Sequence, residues 1–282
     1  MRPPEAEAAI ASMGYALREV RRWRNGRSEV DQDCIAEEVP VALLYNGCPH
    51  VVMMATPRDL DDFALGFSLS EGVIGNANEL QSIETRNLLE GIELQLLVPA
   101  ARAEALEARR RNLTGRTSCG LCGTQALEDA VRQPARVAAG IEIDDATLHR
   151  ALAQLRTCQP LNAATGATHA AAWARADGTV RVLREDVGRH NALDKLIGAM
   201  VRADENPQQG FVIITSRASY EMVQKAATVG IPMLAAISAP TALAIQLAES
   251  TGVTLIGFAR DESHVVYAQR RPDAGVHAEN AA

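Results

Sequence analysis

The C-terminal half of the chain alternates short apolar runs with segments of helical periodicity. The runs FVIIT, PMLAAIS and TLIGFA, which begin at residues 211, 232 and 254, predict buried strands. Helical segments around YEMVQKAATVG and TALAIQLAESTG lie between them. Buried strands separated by helices are typical of a largely parallel sheet that is covered by helices. The pattern predicts an α/β fold for this half, with ligands at the carboxyl ends of the strands.

Further patterns extend this half upstream. The segment THAAAWARADGTVRVLRED, residues 168–186, predicts a hairpin that turns at Asp177-Gly178. Helices are predicted over DDATLHRALAQL and NALDKLIGAMVRA, and over TQALEDAVRQ, which begins after a cap at Thr124.

The N-terminal half mixes strands and helices. In EEVPVALLYNGCPHVVMMAT two β-rich runs flank Asn46-Gly47, a dipeptide that favours a hairpin turn. The following PRDLDDFALGFSLSEGVI predicts a helix with Thr56 as N-cap and Pro57 as first helical residue. GIELQLLV predicts a strand and AARAEALEARRRN a helix. This half is predicted to be an α+β domain.

These patterns divide the chain into five parts. They predict a flexible N-terminus over 1–25, an α+β domain over 26–115, a mobile Cys-x-x-Cys loop over 116–123, an α/β domain over 124–271 and a flexible C-terminus over 272–282.

Composition and charge exclude some classes of function. Hydrophobic residues make up 47% of the 282 residues, enough for a core. The formal net charge of -7 argues against general nucleic-acid binding. The chain shows no signal-peptide pattern and no apolar run long enough to span a bilayer. We therefore expect a cytoplasmic protein with no membrane contact, whose five cysteines are reduced.

The stretch RRRNLTGRTSCGLCGTQ holds a close pair, Cys119 and Cys122. A zinc site needs four ligands, and the pair supplies only two. Cys34, Cys48 and Cys158 are isolated in the sequence and are expected to be small buried residues. A thioredoxin-like redox pair needs a preceding buried strand, which is missing. Nearby arginines and a helix start favour a nucleophilic thiolate. We expect a reactive thiol and no metal site, with zinc as a weaker alternative.

Polar clusters follow several predicted strands. REDVGRHNALDK, which contains His190, suits either an anionic ligand at a helix start or a capped helix with surface ion pairs. TSRASYEM offers Ser216 and Arg217 as phosphate contacts, and Arg260 ends another strand. His169, in an apolar setting, is expected to be a satisfied core histidine.

Taken together, the motifs resemble those of the FdhD proteins, the formate dehydrogenase accessory sulfurtransferases. The matching stretches span residues from about 36 to 270: NGCPHVVMMATPRDLDDFALGFSLSEGVI, SCGLCG, THAAAW, REDVGRHNALDKLIG, TSRASYEMVQKAATVGIP and ISAPTALAIQLAESTGVTLIGFAR.

This resemblance implies a function. FdhD proteins take sulfane sulfur from a cysteine desulfurase as a cysteine persulfide. They deliver it to the molybdenum or tungsten bis(molybdopterin guanine dinucleotide) cofactor of the formate dehydrogenase catalytic subunit. That cofactor is bound cargo, and no permanently bound metal is expected. By the family motif Cys119 carries the persulfide and Cys122 is an assisting thiol.

The resemblance also implies a cofactor-binding stretch, a fold and an assembly. The stretch is FARDES: Phe258, Ala259, Arg260, Asp261, Glu262 and Ser263. Ser216, Arg217 and His190 are further cofactor-binding candidates. The C-terminal domain is expected to have the cytidine-deaminase fold, and the protein to be a homodimer.

Two alternatives concern the chemistry. Deamination is disfavoured, because HAAAW has no Glu beside His169 and the cysteine pair precedes it. The second alternative to a sulfur carrier is a maturation chaperone that binds the cofactor and whose thiols are not essential.

Overall fold

The structure of the protein, a computed structural model, describes residues 14–114, 133–260 and 262–270, without the side chains of 109–114. The elements of the first range are β1 Tyr15–Arg24, β2 Arg27–Ala36, β3 Val39–Tyr45, β4 Cys48–Ala55, α1 Leu60–Ser70, a 3-10 turn Ala77–Glu79, β5 Ser82–Asn87, β6 Ile92–Leu97 and α2 Ala100–Thr114. The other ranges contain α3 Asp145–Thr157, α4 Pro160–Thr165, β7 His169–Arg175, β8 Val180–Asp186, α5 Arg189–Arg202, a 3-10 turn Pro207–Gln209, β9 Gly210–Ile214, α6 Tyr220–Thr228, β10 Met233–Ala236, α7 Ala242–Thr251, β11 Thr254–Arg260 and β12 Ser263–Ala268.

The strands form three sheets. A six-stranded sheet has the order β12-β11-β10-β9-β7-β8, and a four-stranded sheet has the order β4-β3-β6-β5. β1 and β2 form a separate antiparallel ribbon. Both predicted hairpin turns are confirmed: Asn46 and Gly47 have positive φ between β3 and β4, and Gly178 has positive φ between β7 and β8.

Alternation along the strands gives the six-stranded sheet two buried faces. Val212 and Ile214 of β9 pack with α5, α6 and α7, whereas Phe211 and Ile213 pack with α3. Successive side chains of a strand point to opposite faces, so an uninterrupted apolar run suits a sheet covered on both sides. The predicted α/β fold is confirmed.

The parallel part of the six-stranded sheet is smaller than predicted. Only β9, β10 and β11 are parallel; β12, β7 and β8 join antiparallel. The three parallel strands are joined by the predicted helices α6 and α7, whereas hairpins supply the flanking strands. The expected likeness to the cytidine-deaminase fold stays a prediction.

Two predictions about the N-terminal half are wrong. The expected flexible stretch 1–25 includes β1, which pairs with β2 along its length around an Asn25-Gly26 turn. Thr56 does not cap α1, which begins after Asp59. The backbone and hydroxyl of Thr56 bond instead to residues of the six-stranded domain, as described below.

Other expectations concern residues that the structure does not describe. These are the loop 116–123, the helix over TQALEDAVRQ up to residue 132, and the termini 1–13 and 271–282.

Helix α1 holds the two larger sheets together. Its Phe63 and Phe67 belong to the core of the four-stranded sheet. Its opposite side crosses α5, where a Cβ on Gly66 would overlap the Asp194 carbonyl and one on Gly198 would overlap the Asp62 carbonyl. The helix backbones therefore touch, which only residues without a Cβ permit.

We expect Gly66→Ala to destabilise the protein, although alanine favours helices by about 1 kcal/mol over glycine. The added methyl group meets backbone, which cannot move aside as a side chain can, and such overpacking typically costs about 1–3 kcal/mol. Urea denaturation measures the loss, with the exposed-site variant Ala153→Ser as control. Unchanged or increased stability of Gly66→Ala would contradict the backbone contact.

Candidate functional site

One edge of the six-stranded sheet gathers most of the polar clusters picked out in the sequence. The parallel strands β9, β10 and β11 all end there. β7 runs the other way, so its first residue, His169, lies at the same edge and pairs with Asp186, the last residue of β8. We call this the carboxyl edge; it comprises His169, Asp186, Thr215–Arg217, Ser238 and Phe258–Arg260.

Three helices begin at the carboxyl edge. α5 follows β8, α6 follows β9 and α7 follows β10. Thr241 caps α7 by accepting a hydrogen bond from the Ala244 amide at 3.3 Å, but no side chain caps α5 or α6. Uncapped amide groups and the positive end of the helix dipole favour anions. The arrangement suits a ligand with several phosphates.

The first turns of α5 and α6 are linked. His190 Nε2 lies 3.0 Å from Glu221 Oε2, which also accepts a hydrogen bond from the Ser219 hydroxyl at 3.2 Å. Burial lowers the pKa of His190, the Arg189 guanidinium lowers it further, and Glu221 opposes the shift. This imidazole is therefore neutral at neutral pH and offers a hydrogen bond rather than a charge.

His169 has a similar environment. Burial and then Arg189 lower its pKa, with Asp186 opposing. It is only half-buried and lies at the carboxyl edge, so the expectation of a core histidine is wrong. Its position comes from the antiparallel direction of β7, which the local sequence does not encode.

Asp186 fixes the turn that leads into α5. Its carboxylate is fully buried and lies 2.6 Å from Lys195 Nζ, which is also fully buried. It also accepts hydrogen bonds from the Gly188 amide at 2.7 Å and the Asn191 side-chain amide at 3.0 Å. A buried charge needs such partners. Burial lowers the pKa of Lys195, and Asp186 opposes this.

Thr56 connects this cluster to the N-terminal half. Its amide donates to Asp186 Oδ2 at 3.0 Å, its carbonyl accepts from Lys195 Nζ at 2.9 Å, and its hydroxyl accepts from the Val187 amide at 3.2 Å. One alternative for REDVGRHNALDK was a helix with ion pairs on the surface. Asp186 and Lys195 instead form a buried ion pair, and both residues bond to Thr56 of the N-terminal half.

A second buried cluster lies between α1, α5 and α6. Lys225 Nζ lies 3.0 Å from Asp194 Oδ1, 3.1 Å from the Ser70 hydroxyl and 2.7 Å from Glu71 Oε1. Burial works against the charged form of Lys225, but Asp194 and Glu71 outweigh it and raise its pKa. The sequence pattern does not indicate Ser70, and its one signal for Lys225 is a lone lysine within the apolar YEMVQKAATVG pattern.

The FARDES stretch comprises the last three residues of β11, residues 261 and 262, and the first residue of β12. Phe258 and Glu262 have positive φ, and the Arg260 guanidinium lies 5.9 Å from the Phe258 ring centroid. Ala259 is buried, and the Ser263 hydroxyl donates to the Arg260 carbonyl at 3.0 Å. Asp261 lies outside the described residues.

The remaining cofactor-binding candidates lie after β9. Ser216 is buried and its hydroxyl donates to the Arg217 carbonyl at 3.1 Å, so this hydroxyl has a local partner. Arg217 is exposed. Arg217 and Arg260, which are well separated in sequence, thus both lie at the carboxyl edge, and His190 lies in the first turn of α5, which begins there.

The cysteines divide into two groups. Cys119 and Cys122 lie outside the described residues, beyond the end of α2 at Thr114. The expectation that the isolated cysteines are buried is wrong: Cys48 and Cys158 are exposed and Cys34 is half-buried. Cys48 starts a strand beside a turn, where an unpaired thiol reaches solvent.

Two features are absent from the residues that the structure describes. Among these residues, no three or more His, Cys, Asp and Glu side chains are placed to hold a metal ion. In the same part of the chain, no helix combines the length and apolar character required to cross a membrane.

Comparisons with known proteins point to one family. The model of the FdhD/NarQ family matches residues 36–272. The chain is 58% identical over 264 residues to the sulfur carrier protein FdhD of Xanthomonas euvesicatoria pv. vesicatoria, covering 93% of this chain and 94% of that protein. It is 52% identical over 272 residues to the sulfur carrier protein FdhD of Cupriavidus necator, covering 95% and 94%.

A solved structure shares the fold. The crystal structure of a protein from Desulfotalea psychrophila, described as a formate dehydrogenase accessory protein, superposes with a TM-score of 0.69. Its sequence identity is 23%, and the match covers 90% of this chain and 96% of that chain.

We expect Arg189→Gln to raise the pKa of both His169 and His190, because it removes a positive charge that disfavours the imidazolium. NMR titration of the ring protons measures this, with Arg175→Gln, at the other end of β7, as control. Unchanged pKa values would refute the assigned role of Arg189.

The same shifts predict a pH dependence of stability. Both folded-state pKa values lie below the unfolded value of about 6.5, so the unfolded chain binds more protons below that pH. The free energy of unfolding should therefore decrease as the pH falls below about 6.5, and His190→Gln should reduce the decrease. Denaturant unfolding across this pH range tests it; an unaltered pH dependence in His190→Gln counts against it.

Proposed function

The chain belongs to the FdhD/NarQ family, and we propose on this basis that it is a sulfur carrier for formate dehydrogenase. The names of relatives at 52% and 58% identity over most of both chains support the sulfur-carrier role. One observation supports the cofactor half of the proposal: three helices begin at the carboxyl edge, which also contains Arg217 and Arg260.

The first proposed step loads Cys119. Its thiolate attacks the terminal sulfur of a persulfide on a cysteine desulfurase. A new S–S bond forms, the desulfurase cysteine leaves as a thiolate, and Cys119 holds the sulfane sulfur. Sequence context supports this assignment, since Arg109, Arg110, Arg111 and Arg116 precede the pair and favour a thiolate.

The second proposed step delivers the sulfur. The Cys122 thiolate attacks the Cys119 sulfur, a Cys119–Cys122 disulfide forms, and the terminal sulfur leaves as sulfide to the cargo. The Cys122 sulfur is thereby oxidised and the terminal sulfur is reduced, by one electron each, while the Cys119 sulfur exchanges one S–S bond for another, so the electrons balance. A cellular dithiol then reduces the disulfide for the next cycle.

The proposed cargo is the bis(molybdopterin guanine dinucleotide) cofactor of the formate dehydrogenase catalytic subunit. Its phosphates would lie at the starts of α5 and α6, where amide groups have no side-chain cap, and beside the Arg217 and Arg260 side chains. Neutral His169 and His190 would add hydrogen bonds. We further propose that the protein is a cytoplasmic homodimer.

We expect Cys119→Ala to abolish both persulfide formation and dehydrogenase maturation without affecting folding. The measurement is mass spectrometry after incubation with desulfurase and cysteine, which detects one added sulfur atom, together with formate dehydrogenase activity in cells. The matched control replaces Cys34, Cys48 and Cys158 with serine and should retain both readouts. Normal maturation with Cys119→Ala would instead favour a cofactor chaperone with non-essential thiols.

We expect Arg217→Gln and Arg260→Gln each to weaken nucleotide binding roughly tenfold, the loss of one charge-assisted hydrogen bond. Titration calorimetry with guanosine diphosphate, the nucleotide half of the proposed cargo, measures this. Arg156→Gln, an exposed arginine on α3, is the control. Equal affinity in all proteins would remove the carboxyl edge from the proposal.

A further inference from the structure

Arg189, the first residue of α5, makes no hydrogen bond and no ion pair with any described residue. Its Nε is buried, whereas the two terminal nitrogens of the guanidinium reach solvent. Arg202, in the last turn of the same helix, instead pairs with Asp62 at 3.3 Å. A partly buried charge without a partner costs free energy. The Arg189 guanidinium is therefore available to an anion from solution.

The start of α5 contains further unsatisfied polar groups. No side chain caps the helix, so the positive end of its dipole adds to the Arg189 charge. Asn191, in the same turn, is 2% exposed and leaves its Oδ1 without a partner. Buried polar groups without partners are rare in native proteins, and they indicate strain or a function. This turn therefore forms at a cost in stability, which a bound anion reduces.

Two carboxylates of this region pair with other side chains. Asp186, at the end of β8, lies 2.6 Å from Lys195 Nζ. Glu221 Oε2, on α6, lies 3.0 Å from His190 Nε2. Both carboxylates thus have their own partners, and neither forms an ion pair with Arg189. Among the described residues, Arg189 has no carboxylate within ion-pair distance.

The Arg189 charge acts on two histidines. Burial is the largest cause that lowers the pKa of His169 and of His190, and Arg189 is the second for both. The other groups that act on these rings, from β8, α5 and α6, are Asp186, His190, Glu221 and Lys225. The two carboxylates favour the charged imidazoles, and the remaining groups disfavour them. An anion that offsets the Arg189 charge therefore makes protonation of both rings easier.

We propose that a diphosphate group binds against Arg189 at the carboxyl edge, and that protonation of His169 and His190 strengthens this binding. The uncapped starts of α5 and α6 and the exposed Arg217 can hold further phosphate oxygens. The ligand class is therefore a nucleoside diphosphate ester. This inference rests on the proposed cofactor cargo, and it adds a contact residue and a pH dependence to that site.

Protons and the diphosphate should favour each other's binding, because such coupling is reciprocal. The bound anion offsets the Arg189 charge, so it raises the pKa of both histidines above their values in the free protein. The affinity should therefore increase as the pH falls below about 6.5, and stop increasing once the free protein is protonated as well. A rise of one unit in one histidine pKa corresponds to a gain in affinity of about tenfold.

Titration calorimetry with GDP-mannose measures this pH dependence. Both phosphates of this probe are esterified, so the ligand itself neither takes up nor releases protons near neutral pH. We expect the wild-type dissociation constant to fall roughly tenfold between about pH 8 and about pH 5.5. The double variant His169→Gln with His190→Gln should lose this fall. NMR titration of the wild type should show a higher pKa for both rings when GDP-mannose is bound.

Substitution of Arg189 tests the contact itself. Arg189→Gln should weaken GDP-mannose binding at least about tenfold, and Arg189→Lys, which keeps the charge, should weaken it less. Arg156→Gln, an exposed arginine on α3, is the control. In urea denaturation without ligand, Arg189→Gln should be at least as stable as the wild type, because no described partner is lost. A less stable Arg189→Gln would indicate a structural arginine and count against the proposal.

Equal affinity of wild type and Arg189→Gln, an affinity independent of pH, or a pH dependence that persists without the two histidines would each overturn the proposal. If Arg217→Gln and Arg260→Gln weaken binding but Arg189→Gln does not, the carboxyl edge stays the proposed cargo site and only this inference fails. A wild type that does not bind GDP-mannose would overturn it together with the proposed cargo. Persulfide formation at Cys119 is measured separately and tests the sulfur-carrier role alone.

Discussion

The backbone contact between α1 and α5 is the constraint on which the rest of the structure depends. Gly66 and Gly198 let the two helices touch, and buried charges lie beside this crossing: Lys195 with Asp186, and Lys225 with Asp194. Removing one partner of a buried ion pair typically costs about 3–5 kcal/mol, because the other charge remains without compensation. The close helix contact and the buried pairs therefore specify one relative position of the two domains.

The same buried residues that fix the position of the two domains also shape the candidate site. Asp186 joins Thr56 of the N-terminal half to the turn that starts α5, and the next residues in that turn are Arg189 and His190. The same turn lowers the pKa of both histidines through burial and the Arg189 charge. Inter-domain packing and the electrostatics of the carboxyl edge are thus set by one group of side chains.

The structure separates two kinds of surface. The carboxyl edge belongs to the region that the family model matches, residues 36–272, and suits an anionic cargo. The ribbon of β1 and β2 lies before that region apart from Ala36, and it exposes Trp23 to solvent.

The sequence by itself determined most helices and strands of the described residues, because their periodicity and turn residues are local signals: β9, β10, β11 and the Asn46-Gly47 turn are examples. It also placed Arg217 and Arg260 at strand ends. It missed the role of Thr56, the burial of Lys195 and Lys225, the strand β1 and the antiparallel flanks of the sheet. Thr56 bonds to Lys195 across 139 residues, Lys225 bonds to Ser70 across 155, and one flank depends on the pairing of Ala171 in β7 with Ile214 in β9. β1 belongs to a charged ribbon whose pairing outweighs its weak apolar pattern. Only the tertiary structure decided these features, because none of them is a local signal.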